Sequence, residues 1–246
     1  MPYDYQVHID QTKYEQVSQR LQNAKNILIL PHKGMDGDTL GSALALGLAL
    51  DQIGKKYTIA STDEEIGSVF GYMPKTDQIV DDFQETDFDT FVYIDHSEIY
   101  RTGFEKKHPH IEANIPNKIV IDHHQISKDL HCDDMLLDTQ SPATAIIVYH
   151  LLRHMQIDIE SDIATCLLTS IYTDTGGFMH NTTQEVWSLS GVLTDLGADQ
   201  RSISKHIFQT KPIVQLKLWG LVLDRSYQNK HGILFSGITQ EELDQA

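Results

Sequence analysis

The segment Ile27-Leu28-Ile29-Leu30-Pro31-His32-Lys33-Gly34-Met35-Asp36-Gly37-Asp38-Thr39-Leu40-Gly41-Ser42 has the pattern of a strand, a glycine-rich loop and a helix. Ile27 to Leu30 is a short, wholly apolar run bounded by Asn26 and Pro31, which reads as a strand buried in a parallel sheet. Asp38 to Ile53 reads as a helix, with Asp38 as its N-cap, an Ala- and Leu-rich body, and Gly54 to close it.

Working outward, Phe91-Val92-Tyr93-Ile94 and Lys118-Ile119-Val120-Ile121 repeat the buried-strand pattern, each followed by Asp, and Met135-Leu136-Leu137 is a shorter strand. After Pro142 the character changes to helices, expected near 143–156, 160–174, 184–196, 200–209 and 213–226. The expected class is α/β: a mainly parallel sheet flanked by helices, followed by a helical layer and a linker helix. Gly232 to Thr239 looks like a strand opening a new unit that the chain does not complete.

Composition narrows the function classes. The 246 residues carry 19 Lys and Arg against 35 Asp and Glu, a net charge of −16. So acidic a surface is a poor partner for long duplex DNA, whose binding rests on Lys and Arg displacing counterions. No apolar run approaches the ~18–20 residues that span a bilayer, so no membrane partner is expected. The first residues, Met1-Pro2-Tyr3-Asp4, show no secretory signal, and Cys132 and Cys166 make no disulfide framework, so a reducing, cytoplasmic location is expected. Thirteen histidines beside a surplus of Asp point to metal.

The acids and imidazoles fall where open α/β sheets place their ligands, just beyond the carboxyl ends of strands. His32, Asp36 and Asp38 follow the first strand, Asp95-His96 another, and Asp122-His123-His124 the next, while Asp174 ends a helix. Two hard cations held ~3.5–4 Å apart need several carboxylates, one of them shared. Asp36, Asp38, Asp95 and Asp174 supply four negative charges, which two divalent ions balance. Mixed carboxylate and imidazole donors with no Cys near them suit Mn²⁺. Gly34, Gly37 and Gly41 are expected to let the backbone approach closely.

These motifs, in this order, resemble the DHH phosphoesterase superfamily. His32-x3-Asp36-x-Asp38, Asp95 with Arg101, Asp122-His123-His124 and Asp174-Thr175-Gly176 carry the resemblance over roughly residues 15–210. Ser141-Pro142-Ala143-Thr144-Ala145 and Asn181-Thr182-Thr183 are similar to the DHH/DHHA1 branch of oligoribonucleases and 3′,5′-bisphosphate phosphatases. The resemblance implies a catalytic domain at 1–210, a linker helix at 211–227 and the start of a DHHA1-like domain at 228–246. It also implies two divalent cations, one held by His32, Asp36 and Asp95, the other by Asp38, Asp95, His123 and Asp174. His124 would contact the substrate phosphate, Asp122 would orient an imidazole, and Arg101 would add a phosphate contact. The implied substrates are short RNA, linear dinucleotides and nucleotide bisphosphate, hydrolysed by metal-activated water. The alternatives are a cyclic dinucleotide phosphodiesterase, an inorganic pyrophosphatase and a regulatory module with little turnover, and a homodimer stays open. Met35 stands where the family usually has Pro, and no Gly-Gly-Gly-His motif of a DHHA1 domain occurs.

Other features read as structural. His8, His108, His110, His131, His150, His154, His206 and His231 are expected as surface or satisfied residues. His96 and His180 lie closer to the motifs, with His96 evenly balanced between lining the site and a structural role. His131-Cys132-Asp133-Asp134 reads as a solvated loop, and Glu64-Glu65 and Asp81-Asp82 as exposed acidic turns.

Overall fold

The computed structural model describes residues 8–63, 66, 69–125 and 132–244. The chain divides into two compact units, Met1–Ile203 and Ser204–Ala246.

The first unit opens with α1 (Gln11–Asn23), then β1 (Asn26–Pro31), α2 (Gly37–Gln52), β2 (Lys56–Ile59), β3 (Thr90–Ile94), the single turn α3 (Ile111–Asn114), β4 (Asn117–Asp122) and β5 (Asp134–Leu137). The five strands form one parallel sheet in the order β2-β1-β3-β4-β5. The four strands expected from sequence before Pro142 are all present. The edge strand β2 and helix α1 had no such signal. β2 is only half buried, and α1 is mostly polar, burying only Tyr14, Val17, Ser18 and Leu21.

Strand alternation sends Leu28, Leu30, Phe91, Tyr93 and Val120 to one face, where they pack with Phe83, Phe88, Phe104, Ile111 and Ile115. The other face is covered by α2 and by α4 (Thr144–His154). Helix α5 (Ser161–Asp174) lies on α2, and α6 (Gln184–Asp195) on α5.

The α2–α5 contact decides where Asp174 goes. A Cβ on Gly41 would lie 2.3 Å from Ser170 Oγ and 2.5 Å from the Cys166 carbonyl oxygen, and one on Gly37 would lie 2.5 Å from the Thr173 side chain. Bare backbone at these positions, one helical turn apart, lets Ser170 Oγ donate to the Gly37 carbonyl at 3.1 Å. The expected backbone approach at Gly37 and Gly41 is therefore to a helix. Gly34, with φ of +71°, has nothing within 4 Å of its missing Cβ and serves a turn instead. Gly41→Ala must push α5 away, so it is expected to destabilise the chain by about 1–3 kcal/mol. Urea unfolding measures that loss, and Mn²⁺ titration is expected to show weakened metal binding in the same variant.

One expectation is corrected: α2 begins at Gly37, and its N-cap is Asp36, whose Oδ1 accepts from the Asp38 and Thr39 amides at 2.9 and 3.0 Å. Asp38, the cap expected from sequence, lies inside the first turn and is freed for another partner.

Helix α7 (Gln200–Ser204) leads into a wide turn at Lys205–Gln209. In the second unit α8 (Ile213–Asp224) is followed by a small antiparallel hairpin of β6 (Tyr227–Gln228) and β7 (Leu234–Phe235), then α9 (Gln240–Asp244). The strand expected over 232–239 is thus only two residues long, because Gly232 (φ +80°) still belongs to the turn. Among the described residues no helix is long and apolar enough to cross a membrane.

Candidate metal centre

Three adjacent strands end level with one another. Pro31 of β1 is in register with Ile94 of β3, and Ile94 with Ile121 of β4. The residues just past this line, His32, Asp95 and Asp122-His123, therefore meet at one edge. The chain leaves β1 for β2 on one side and β3 lies on the other, so His32 and Asp95 flank the crevice where open α/β sheets bind ligands.

Asp95 stands at the middle. Its amide still donates to the Ile121 carbonyl at 2.9 Å, while its φ of +64° turns the carboxylate out of the strand direction. Asp tolerates that conformation better than most residues. Oδ2 accepts from Thr39 Oγ1 at 2.5 Å and lies 3.6 Å from His32 Nε2. Oδ1 accepts from Thr144 Oγ1 at 2.8 Å and lies 3.6 Å from His123 Nε2. One carboxylate thus presents its two oxygens to two groups of donors.

Those groups are His32, Asp36 and Asp95 on one side, and Asp38, His123 and Asp174 on the other. Within each, one ligating atom per residue lies within 4.8 Å of the others. Asp95, His123 and His124 form a third such set, so Asp95 and His123 each belong to two.

The donor chemistry fits hard or borderline cations. His32 Nδ1 contacts the Lys33 carbonyl and His123 Nδ1 the Ser141 carbonyl, each at 3.0 Å. Nδ1–H donation to a carbonyl leaves the Nε2 lone pair of each ring facing the carboxylates, the arrangement usual for metal-ligating histidines. Asp38 is fully buried, and its oxygens accept from the Thr144 and Ala145 amides at 2.7 and 3.1 Å. It thereby caps α4, whose own preceding residue, Ala143, has no side chain able to do so.

Electrostatics shows the strain of so many acids together. Burial, followed by the charges of Asp95 and Asp174, raises the Asp38 carboxyl well above its ordinary value. Burial also lifts Asp174 to about 6, with Asp36 and Asp95 adding to the rise and His123 opposing it. At Asp95 burial acts upward too, but His32, Thr39 and Thr144 outweigh it and hold the carboxyl below the usual range. Bound divalent cations would relieve the repulsion that raises Asp38 and Asp174.

His124 is placed differently. Its Nδ1 contacts Asp122 Oδ1 at 2.9 Å, which raises its pKa, while Asp122 is buried and the His124 side chain is partly exposed. With Nδ1–H engaged, Nε2 is the atom His124 has available for a ligand. Arg101 lies apart from the clusters on a short turn, where its carbonyl accepts from the Lys33 amide at 2.6 Å. Among the described residues its guanidinium has no hydrogen-bond or ion-pair partner.

His96 leaves the site. Its ring is fully buried between the Leu30 carbonyl, 2.9 Å from Nε2, and the Glu98 backbone, and burial pushes its pKa down to about 4. A neutral, doubly engaged imidazole fixes the loop after β3, a structural role. His108, His150 and His154 pair with carboxylates away from the centre. Asp81 and Asp82 are exposed, while Glu64, Glu65 and His131 lie outside the described residues.

Sequence reasoning missed the residues that hold the ligands. Thr39 Oγ1 touches Asp36, Asp95 and His32 together, and Thr144 serves Asp95. Asp63 accepts from the Gly34 and Met35 amides at 2.8–3.0 Å, clamping the loop between His32 and Asp36. Thr39 and Thr144 sat inside segments already singled out; Asp63, beyond the edge strand, carried no signal.

Comparison with known proteins places this arrangement. The chain is 29% identical over 222 residues to the bifunctional oligoribonuclease and PAP phosphatase NrnA of Thermus thermophilus, covering 88% of this chain and 64% of that protein. It is 25% identical over 199 residues to the cyclic-di-AMP phosphodiesterase GdpP of Bacillus subtilis, covering 76% of this chain and 30% of that protein. It therefore spans less than two thirds of either relative. Among solved structures, an exopolyphosphatase-related protein from Bacteroides fragilis superposes with a TM-score of 0.88 at 26% identity, over 98% of this chain and 73% of that one. The sequence profile of the DHH family, N-terminal domain, matches residues 26–171, which run from the first residue of β1 into α5. With more than half of its length matched and its acids and imidazoles gathered at the ends of β1, β3 and β4, the chain belongs to the DHH family.

Proposed function

We propose that this chain is a phosphoester hydrolase with two divalent cations, Mn²⁺ foremost, acting on short oligoribonucleotides, linear dinucleotides and adenosine 3′,5′-bisphosphate. The observation that carries the reading is Asp95, whose two oxygens face two sets of metal-type donors. The names of the two relatives support the substrate class.

His32, Asp36 and Asp95 would hold one cation, and Asp38, Asp95, His123 and Asp174 the other. Such cations, when bound, supply Lewis acidity and make water nucleophilic near neutral pH. The chain's own residues do the rest. Thr39 and Thr144 keep the Asp95 oxygens aimed in different directions. Asp122 fixes the His124 ring and favours its protonated form, so Nε2–H can donate to a phosphoryl oxygen as charge develops there. Arg101, whose guanidinium has no hydrogen-bond or ion-pair partner among the described residues, would supply a contact to a further phosphate oxygen. Residues 1–210 would form the catalytic domain, 211–227 a linker helix, and 228–246 the start of a DHHA1-like domain.

A turnover assay tests the reading with linear dinucleotide, adenosine 3′,5′-bisphosphate, cyclic dinucleotide and pyrophosphate, each with Mn²⁺ and with chelator. Hydrolysis of the first two that chelator abolishes is expected. Hydrolysis of pyrophosphate alone, or turnover that survives chelator, would overturn it.

A further inference from the structure

The segment that follows Asp174 is built in an unusual way. Gly176, Gly177, Phe178 and Asn181 have φ values of +57°, +72°, +67° and +52°. Glycine adopts this left-handed backbone freely, but for a bulky aromatic such as Phe178 it is a genuine outlier, held only where the surroundings dictate it. Here the turn is fastened to the end of α5. The Gly177 amide donates to the Tyr172 carbonyl at 2.7 Å, the Phe178 amide to Thr175 Oγ1 at 3.1 Å, and the Met179 and His180 amides to the Thr175 carbonyl.

The strained residue presents its ring to a tryptophan. Phe178 and Trp187 stack with centroids 4.8 Å apart and planes 28° from parallel, and Tyr172 meets Phe178 edge-on at 5.3 Å. This is not core packing: Trp187 is 56% exposed and the neighbouring Met179 78%. One face of the indole rests on Phe178 while much of the residue remains open to solvent. Three residues lie between Asp174 and Phe178, so their Cα atoms are at most about 14 Å apart, which puts Phe178 within reach of a short nucleotide held at the metal centre.

We propose that Trp187, backed by Phe178, is the stacking platform for a nucleobase of the substrate. This rests on the hydrolase reading above and narrows it to base-bearing phosphoesters, against inorganic pyrophosphate or polyphosphate. Stacking suits a chain of net charge −16, because a base offers an uncharged π-face and needs no cation. It is also tolerant of base identity, as a nuclease of short RNA requires.

The chain has two tryptophans, so Trp219→Phe leaves Trp187 as the sole indole reporter. Titrating that variant, loaded with Mn²⁺, with AMP, which is a product of the proposed reaction and is not turned over, is expected to give saturable quenching of its fluorescence, and pyrophosphate is expected to give none. Trp187→Ala is expected to weaken binding of AMP to the Mn²⁺-loaded protein by roughly 5- to 150-fold, the range that loss of one base–aromatic stack produces. Trp187→Phe is expected to recover most of it, and the Mn²⁺-induced rise in Tm is expected to be unchanged in both. Unaltered AMP binding in Trp187→Ala, equal quenching by pyrophosphate, or shielding of Trp187 that grows with protein concentration without ligand would overturn the proposal. The two readings fail separately: nucleotide hydrolysis with an unquenched Trp187 removes the platform alone, whereas base-dependent quenching without any hydrolysis removes the hydrolase.

Discussion

Asp95→Asn is expected to lower turnover of dinucleotide by at least about 10³-fold, the scale of loss when a group that stabilises transition-state charge is removed. An amide keeps the shape and tolerates the backbone φ of +64°, so the fold should survive. What changes is that one oxygen becomes an NH₂ group. It must then point at either the Thr39 and His32 side or the Thr144 and His123 side, where the carboxylate now offers an acceptor to both. One donor set loses an anionic member, and the charge that balances two cations falls by one. Asp95→Ala is a less clean test, since it also takes the Asp95 acceptor from the Thr39 and Thr144 hydroxyls and places Ala in a left-handed conformation that costs roughly 1–2 kcal/mol. Steady-state kinetics with Mn²⁺, alongside the number of ions bound per chain, measures the effect. Activity within tenfold of the parent would remove Asp95 from its central role.

Metal is also expected to stabilise the fold. At a free Mn²⁺ concentration 100 times its Kd, linkage gives about 2.7 kcal/mol, or about 5–11 °C in Tm for a unit of this size. The effect depends on pH in a defined direction. Asp174 titrates near 6 in the folded, metal-free chain against an ordinary 3.8, so the folded state binds more protons than the unfolded one between those values. Its contribution therefore falls as pH rises through that window. His32 acts in the same sense: burial lowers its pKa, but Asp95 and the Lys33 carbonyl raise it further, leaving it above 6.5. The stabilisation from protonated His32 is present below 6.5 and is lost as pH rises through the higher folded value. The metal-free chain thus loses stability toward neutrality while metal binding, which needs both groups deprotonated, gains. The gap in Tm between Mn²⁺-loaded and stripped protein is expected to widen from about pH 5 to 8. Asp174→Asn should flatten the carboxylate part of that dependence and remove most of the metal-induced rise. Differential scanning calorimetry decides it, and a gap that stays constant with pH would contradict the assignment.

Much of the fold was legible because its signals are local. Apolar runs of three or four residues, the acids and imidazoles just past them and helix-length segments after Pro142 identify the elements one at a time. The same locality explains the misplaced cap and the open question of His96. Asp36 and Asp38 are both good caps by residue type, and nothing nearby in sequence reveals that Ala143 leaves α4 uncapped and that Asp38 is taken for it. His96, next to Asp95, is turned inward by the Leu30 carbonyl, which belongs to the neighbouring strand.

Legible in the residues alone were four of the five strands of the parallel sheet, the acids and imidazoles past their carboxyl ends, and a charge excess that calls for cations. These follow from hydrophobic pattern and residue type over a few neighbouring positions. Which atoms meet depends on the packed layers. Register levels β1, β3 and β4, and the bare backbone of Gly37 and Gly41 lets α5 carry Asp174 in. The Lys33 and Ser141 carbonyls set the faces of the His32 and His123 rings, and Asp63 clamps the loop from across the sheet edge. The physical reason is distance along the chain: hydrogen bonds and close contacts between remote segments exist only once the layers have packed.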